Sequence, residues 1–213
     1  MTEPHAPQSS GGPSTILGLI KTRRSTRKFA ERPIPENDLH QILEAGRWAP
    51  SGANVQPWRF VVVTRRDTLK AIAEACYHSA FKSRHVGEAS VLVVICADPN
   101  AGTPTYALDC AIAGTNMTLM AHALGIGSCW IGAFEHDTLK TILNIPDGIE
   151  IIVLIAFGYP AHPTHTPPRL ELDHLVHRES WDEARQPNLL VRVRRSGPLS
   201  VLRKILAVIL NRR

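Results

Sequence analysis

Ile16, Leu19 and Ile20 recur at helical spacing, so a short helix is predicted to begin after Ser14 and to end near Arg23-Arg24-Ser25-Thr26-Arg27. Pro33-Ile34-Pro35 forces extended backbone. Leu39, Ile42, Leu43 and Gly46 follow the i, i+3, i+4, i+7 rule and predict an amphipathic helix that stops before Pro50. Ser51 to Pro57 reads as a loop and Phe60 to Val63 as a β-branched strand. A helix is predicted from Asp67 to Ala80. Val91 to Cys96 is a near-continuous apolar run, the mark of a strand buried on both faces. Pro104 to Leu124 is the longest predicted helix, with Leu108, Ile112, Thr115 and Leu119 on its apolar stripe and Gly125 as its C′ residue. A short strand at Cys129 to Ile131 follows, then a helix capped by Asp137 and running through Leu143, then an apolar strand from Glu150 to Phe157. Strands alternate with helices through irregular connections, which indicates a mixed α/β or α+β sandwich around one sheet.

Composition adds a bound on class. The 213 residues are 44% hydrophobic and 20% charged, ordinary values for a globular chain with a real core. A net charge of +5 and a pI near 9.3 point at first to nucleic acid. The distribution argues otherwise. Residues 185–213 hold eight basic and no acidic groups, so of the 24 basic residues 16 remain against 19 acidic ones elsewhere. The basicity belongs to a tail on a mildly acidic body. Residues 1–13 are Pro/Ser/Gly-rich and read as a disordered lead-in with no secretory signal. Cys76, Cys96, Cys110 and Cys129 lack CxxC spacing and sit among apolar neighbours, the pattern of reduced, buried thiols in a cytoplasmic protein.

Several motifs fail on inspection. Gly125 to Gly132 reads GxGxxxxG after a helix, where a dinucleotide loop needs GxGxxG after a strand. No Walker A sequence or GxSxG elbow is present. His162 and His165 lie in a Pro-broken loop, and neither they nor His174 and His177 supply a metal-ligand set. His122, among apolar residues, reads as a hydrogen-bonded core histidine.

Two segments carry chemistry. Arg23-Arg24-Ser25-Thr26-Arg27 sets three guanidinium groups and two hydroxyls where a helix ends, a composition suited to phosphate. Pro50-Ser51-Gly52-Ala53-Asn54-Val55-Gln56-Pro57 brackets the carboxamides of Asn54 and Gln56 between prolines; a carboxamide both donates and accepts, which suits the edge of a heteroaromatic ring.

These segments, with Lys28-Phe29, Pro33-Ile34-Pro35, Ala49 and Trp58 around them, resemble the N-terminal signature of the FMN-dependent nitroreductase family. The likeness continues in order through Ala89-Ser90, through Ala121-His122-Ala123-Leu124-Gly125-Ile126-Gly127-Ser128-Cys129-Trp130-Ile131-Gly132 and through Ile155-Ala156-Phe157-Gly158-Tyr159-Pro160. The resemblance implies a three-layer α-β-α fold of the α+β class, with a central mixed or mostly antiparallel sheet, in an intertwined homodimer. It implies FMN as cofactor and NAD(P)H as electron donor. By position, Arg23 and Ser25 would hold the phosphate and ribityl end, with Arg24 beside them and Arg169 contributing to the phosphate. Arg27 would face the flavin pyrimidine near N1 and O2, where a cation stabilises the charge that develops on reduction. Pro50, Ser51, Gly52 and Asn54 would come from the other subunit, and the N–H groups of Ile131 and Gly132 would approach N5. In some members an asparagine before the buried strand contacts the pyrimidine; here Lys82 and His85 are the nearest candidates.

No catalytic side chain is expected, because flavin hydride transfer needs positioning more than a protein acid or base. The implied activity is transfer from NAD(P)H to a nitroaromatic or quinone-like acceptor in a ping-pong cycle. The alternatives are other flavin chemistry on the same fold (metabolite dehydrogenation, dehalogenation, flavin fragmentation) or a flavin-free binding protein tethered by its tail. The expected organisation is a lead-in over 1–13, an FMN-binding domain over 14–184, and a basic arm with an amphipathic helix over 185–213. The helix expected at Leu199 to Leu210, about 18 Å long, is too short to span a bilayer. Its options are packing on protein or peripheral contact of residues 199–213 with an anionic inner membrane surface.

Overall fold

The computed structural model describes residues 13–78 and 81–185. The expected lead-in before Pro13 and the expected arm and amphipathic helix beyond Arg185 lie outside the described residues. The chain divides into two units, one ending at Thr164 and one starting at His165.

The first unit is built on a four-stranded sheet in the order β1-β4-β6-β5, with all neighbours antiparallel. The strands are β1 (Trp58–Val63), β4 (Val91–Ala97), β5 (Gly127–Ile131) and β6 (Glu150–Gly158). As the apolar run predicted, β4 is buried on both faces. Leu92, Val94 and Cys96 enter one core with α3 (Arg66–Glu74) and α6 (His136–Leu143); Val91, Val93, Ile95 and Ala97 enter the other with α2 (Glu36–Arg47) and α5 (Tyr106–Ala123). A register shift between Ile95 and Cys96 leaves Ile152 as the extra residue of β6. The arrangement is the expected three layers of helix, sheet and helix. Among the described residues its one parallel pairing is the isolated bridge between Ser25 and Ser128.

Four expectations are corrected. The helix predicted through Ala80 ends at Glu74. From there the chain is drawn across to β5's far end, where the Glu135 N–H donates to the Ala75 carbonyl at 2.9 Å and the Tyr77 N–H to the Ala133 carbonyl at 3.0 Å. A two-stranded hairpin, β2 (Tyr77–His78) with β3 (Phe81–Lys82), and the short α4 (His85–Glu88) follow. Secondly, the apolar stripe of Leu108, Ile112, Thr115 and Leu119 is not the buried face of α5: Leu108 and Thr115 are exposed, and Ile112 and Leu119 are half-buried. Leu108 is 61% exposed, while Cys110, Ala113, Gly114, Met117 and Ala121 pack on α2 and the sheet. Met117 fits because Gly46 of α2 leaves room for it, and the other residues of this inner face are small. Thirdly, Asp137 lies inside the first turn of α6, and Glu135 holds the N-cap position. Fourthly, His122 is only half-buried.

The helix end at Gly125 follows the prediction. The Ile126 N–H donates to the Ala121 carbonyl at 2.8 Å and the Gly125 N–H to that of His122 at 3.0 Å, the two bonds of a Schellman motif, with Gly125 at φ 73°. All four cysteines are free and buried. Burial pushes the thiols of Cys76 and Cys110 up to about 12 and that of Cys96 to about 11.

Candidate functional site

α1 (Pro13–Thr22) delivers the basic segment to the end of β5. There the Thr26 N–H donates to the Ser128 carbonyl at 2.9 Å. Four residues on, the Ala30 N–H donates to the Tyr159 carbonyl, and the Ala161 N–H donates to that of Lys28. The basic segment is thereby stitched across the ends of β5 and β6. Its close approach explains two glycines that face each other in the β5–β6 register, Gly127 and Gly158. A Cβ on Gly127 would stand 2.7 Å from the Thr26 Cβ, and one on Gly158 would stand 2.8 Å from the Phe29 ring. Glycine is required at both for lack of room.

Two cavities open along this seam. The first, about 170 Å³, is lined by Arg23, Arg24, Thr26, Gly127 and Ser128, with Thr22 and His122 at its side. The Ser128 side chain is 1% exposed, and its Oγ has no hydrogen-bond partner among the described residues. Leaving a buried hydroxyl unsatisfied costs about 1–3 kcal/mol, so a ligand oxygen at this place fits the site. The Arg24 guanidinium is braced on the Lys21 carbonyl at 2.5 Å and on the Arg23 carbonyl at 2.8 Å. Burial, then the Arg23 and Arg24 charges, hold the His122 imidazole below the usual histidine value.

The second cavity, about 260 Å³, is lined by Arg27, Tyr77, Ser83, His85 and the run Cys129 to Ala133. It holds Ile131 and Gly132, the residues whose N–H groups the resemblance singles out. Burial raises the Cys129 thiol, against the pull of Arg27 and Arg23, so it remains a neutral wall of the cavity. Of the two candidates before β4, His85 lines this cavity. Lys82 turns away to pair with Glu74 at 2.6 Å on the surface.

Other predicted residues stand elsewhere. Ser25 forms the bridge to Ser128 and lines neither cavity. Pro50, Ser51, Gly52, Asn54 and Gln56 also line neither cavity of their own chain. Their loop is held in an unusual shape: Ala53, Asn54 and Gln56 all have positive φ. The Gln56 N–H donates to Ser51 Oγ at 3.0 Å, and its carboxamide to Asn54 Oδ1 at 3.2 Å. The buried Asp109 carboxylate, at the start of α5, accepts from the Gly52 N–H at 3.3 Å and from the Thr105 hydroxyl at 3.4 Å. Arg169 belongs to the second unit, where its guanidinium donates to the Pro167 carbonyl at 3.4 Å.

Sequence reasoning missed Ser128, Thr22 and the position of His122 in the first cavity, and Tyr77 and Ser83 in the second. Ser128 sits inside a segment already singled out, yet a serine in an apolar strand carries no local signal of a ligand. Among the described residues no three His, Cys, Asp or Glu gather to hold a metal, and no helix is long and apolar enough to cross a membrane.

The family model described as the nitroreductase family matches residues 20–90 and 78–159. A protein of Archaeoglobus fulgidus assigned as an NADH dehydrogenase/NAD(P)H nitroreductase is 36% identical over 175 residues, covering 78% of this chain and 98% of its own. An FMN reductase (NAD(P)H) of Bacillus subtilis is 25% identical over 188 residues, covering 78% of this chain and 74% of its own. The solved FMN-dependent nitroreductase of Clostridium difficile superposes with a TM-score of 0.70 at 26% identity, covering 78% of this chain and 99% of that one. The matched span contains both the basic segment and the glycine pair it crosses, and on that ground the chain belongs to the nitroreductase family.

Proposed function

We propose that this chain is an FMN-dependent oxidoreductase that passes electrons from NAD(P)H to a small nitroaromatic or quinone-like acceptor. The observation that carries the reading is the seam between the basic segment and β5. It sets Arg23, Arg24 and an unpartnered buried hydroxyl around one cavity, and Arg27 with the Ile131-Gly132 backbone around the next. A phosphate suits the first and the edge of a flavin ring the second. When bound, FMN supplies hydride chemistry, accepting from NAD(P)H and giving to the second substrate in a separate half-reaction.

The protein's part is binding and orientation. Arg23 and Arg24, with the Ser128 hydroxyl, hold the phosphate end by charge-assisted hydrogen bonds. Arg27 neutralises charge at the pyrimidine edge, and the Ile131 and Gly132 N–H groups orient the N5 edge. Pro50, Ser51, Gly52, Asn54 and Gln56 complete the site from a second copy of the chain. The outward apolar residues of α1 and α5, Ile16, Leu17, Ile20 and Leu108, support that homodimer. No side-chain acid or base is needed for the transfer.

Purified protein is expected to be yellow, with flavin absorbance that NADH or NADPH bleaches and a nitroaromatic or quinone restores. Arg23→Ala with Arg27→Ala removes two charge-assisted contacts of about 1.5–3 kcal/mol each, so FMN affinity should fall by about a hundredfold or more. A colourless protein that takes up no added FMN would overturn the reading.

A further inference from the structure

The first cavity holds one titratable group that the reading above does not use. His122 stands in the last turn of α5 and faces the cavity beside Arg23 and Arg24. Its Nε2 lies 2.9 Å from the Thr22 Oγ1. That hydroxyl has one proton, and it donates it to the helix carbonyl of Gly18 at 2.8 Å, with Leu19 at 3.3 Å. With that proton on the carbonyl, Thr22 Oγ1 accepts from the ring, the arrangement in which the neutral imidazole carries its proton on Nε2. Nδ1 keeps its lone pair and is the atom that gains the second proton.

We infer that His122 is a further phosphate-binding residue, which docks the FMN phosphate as the imidazolium and takes up one proton from solvent as the cofactor enters. The inference rests on the proposed function, in that the phosphate end of FMN occupies the Arg23 cavity. Without an anion, the groups facing the ring are the Arg23 and Arg24 guanidiniums after α1, the Thr22 hydroxyl of α1 and the neutral wall from Gly125 to Ser128. Among the described residues no carboxylate lines the cavity. Partial burial, with the two guanidinium charges, therefore keeps the ring below its usual value and neutral near pH 7.5. A phosphate dianion reverses that balance, because it offsets both guanidinium charges and adds an attraction of its own. The C-terminal end of α5 favours the charged ring as well. The site then presents three cations and the Ser128 hydroxyl to the dianion. The proton balance is simple: one proton leaves the buffer and binds Nδ1, and no covalent bond in FMN changes.

The test is calorimetric titration of FMN into the flavin-free full-length chain at pH 7.5, in Tris and in Hepes, whose ionisation enthalpies differ. The FMN phosphate is already dianionic at that pH, since its second pKa is about 6, so it adds little proton exchange of its own. Wild-type protein is expected to take up roughly one proton per FMN. His122→Gln should bind FMN several-fold more weakly and take up none. Riboflavin, which lacks the phosphate, should show no uptake with either protein. Proton uptake that is absent in wild type, or equal in wild type and His122→Gln, overturns the inference and leaves the proposed function standing. Failure of wild type to bind FMN in either buffer overturns both. Should His122→Gln not fold, nitrogen NMR of wild-type protein labelled at histidine answers the same question. His122 is expected as the Nε2–H tautomer without flavin and doubly protonated with FMN at pH 7.5; a neutral ring in both states overturns the inference.

Discussion

At the scale of single residues, the candidate site depends on side chains that are absent as much as on those present. Gly127 and Gly158 leave room for Thr26 and Phe29 to cross the strand ends. Gly127→Ala drives a Cβ against Thr26, which is fixed by its own backbone bond to Ser128, so the segment must shift. The expected cost is about 1–3 kcal/mol of stability and a marked loss of FMN affinity, measured by urea denaturation and by flavin titration. An unchanged urea midpoint would show that Thr26 gives way freely. The cysteines make a second prediction at this scale. Burial raises all four thiols. A thiol-specific chromogenic reagent at pH 8 should label none of them rapidly in the native protein and all four after unfolding; fast labelling of native protein would contradict it. The arginines of the basic segment were legible in the sequence because charge clustering is a local property. Ser128 was not, because its significance is that no partner among the described residues reaches its Oγ.

At the scale of elements, α5 shows how an apolar pattern misleads. Leu108 lies outward and Ile112 and Leu119 are half-buried, while the buried stripe of Cys110, Ala113, Gly114, Met117 and Ala121 is small apart from Met117. Hydrophobic periodicity identified the helix and its length, and the close approach of Gly114 to Trp130 and of Met117 to Gly46 decided which residues it buries. The loop after α2 gives the prediction proper to this scale. Ala53 sits at φ 47° and ψ 24°, a conformation that costs an L-residue roughly 1–2 kcal/mol. Ala53→Gly should therefore stabilise the isolated chain by up to about 1 kcal/mol in urea denaturation, once the greater freedom of unfolded glycine is set against the relief. Destabilisation would mean that the Ala53 methyl makes a contact that one chain does not contain. The hairpin β2–β3 taught a second lesson. Asp67 to Ala80 reads as one helix, yet the backbone bonds from Tyr77 and Glu135 end it at Glu74, and they join residues some sixty positions apart.

At the scale of the whole molecule, the loop of residues 50–56 and the outward face of α5 are linked through Asp109, which holds the Gly52 N–H from the start of that helix. If a second copy covers the α5 face, it also brings this loop to its partner's flavin. Leu108→Glu places a charge on that face and should shift the protein toward monomer in sedimentation equilibrium, with FMN affinity falling in step. Loss of the dimer with FMN affinity intact would separate the two and refute the shared site.

The sequence alone determined the class of the protein. Periodicity, punctuation by Gly and Pro, and the local crowding of arginines are properties of neighbouring residues. They sufficed for the four strands of the main sheet, most helices, the buried thiols and the family resemblance. Tertiary structure decided which face of α5 is inner, where α3 ends and that Lys82 pairs with Glu74 while His85 meets the cavity. It also gathered Ser128, Thr22 and His122 around Arg23. Each of these depends on contacts between segments far apart in the chain, and one side chain's neighbours across such distances are set by the sheet register and the stitching of the basic segment, which no local pattern records.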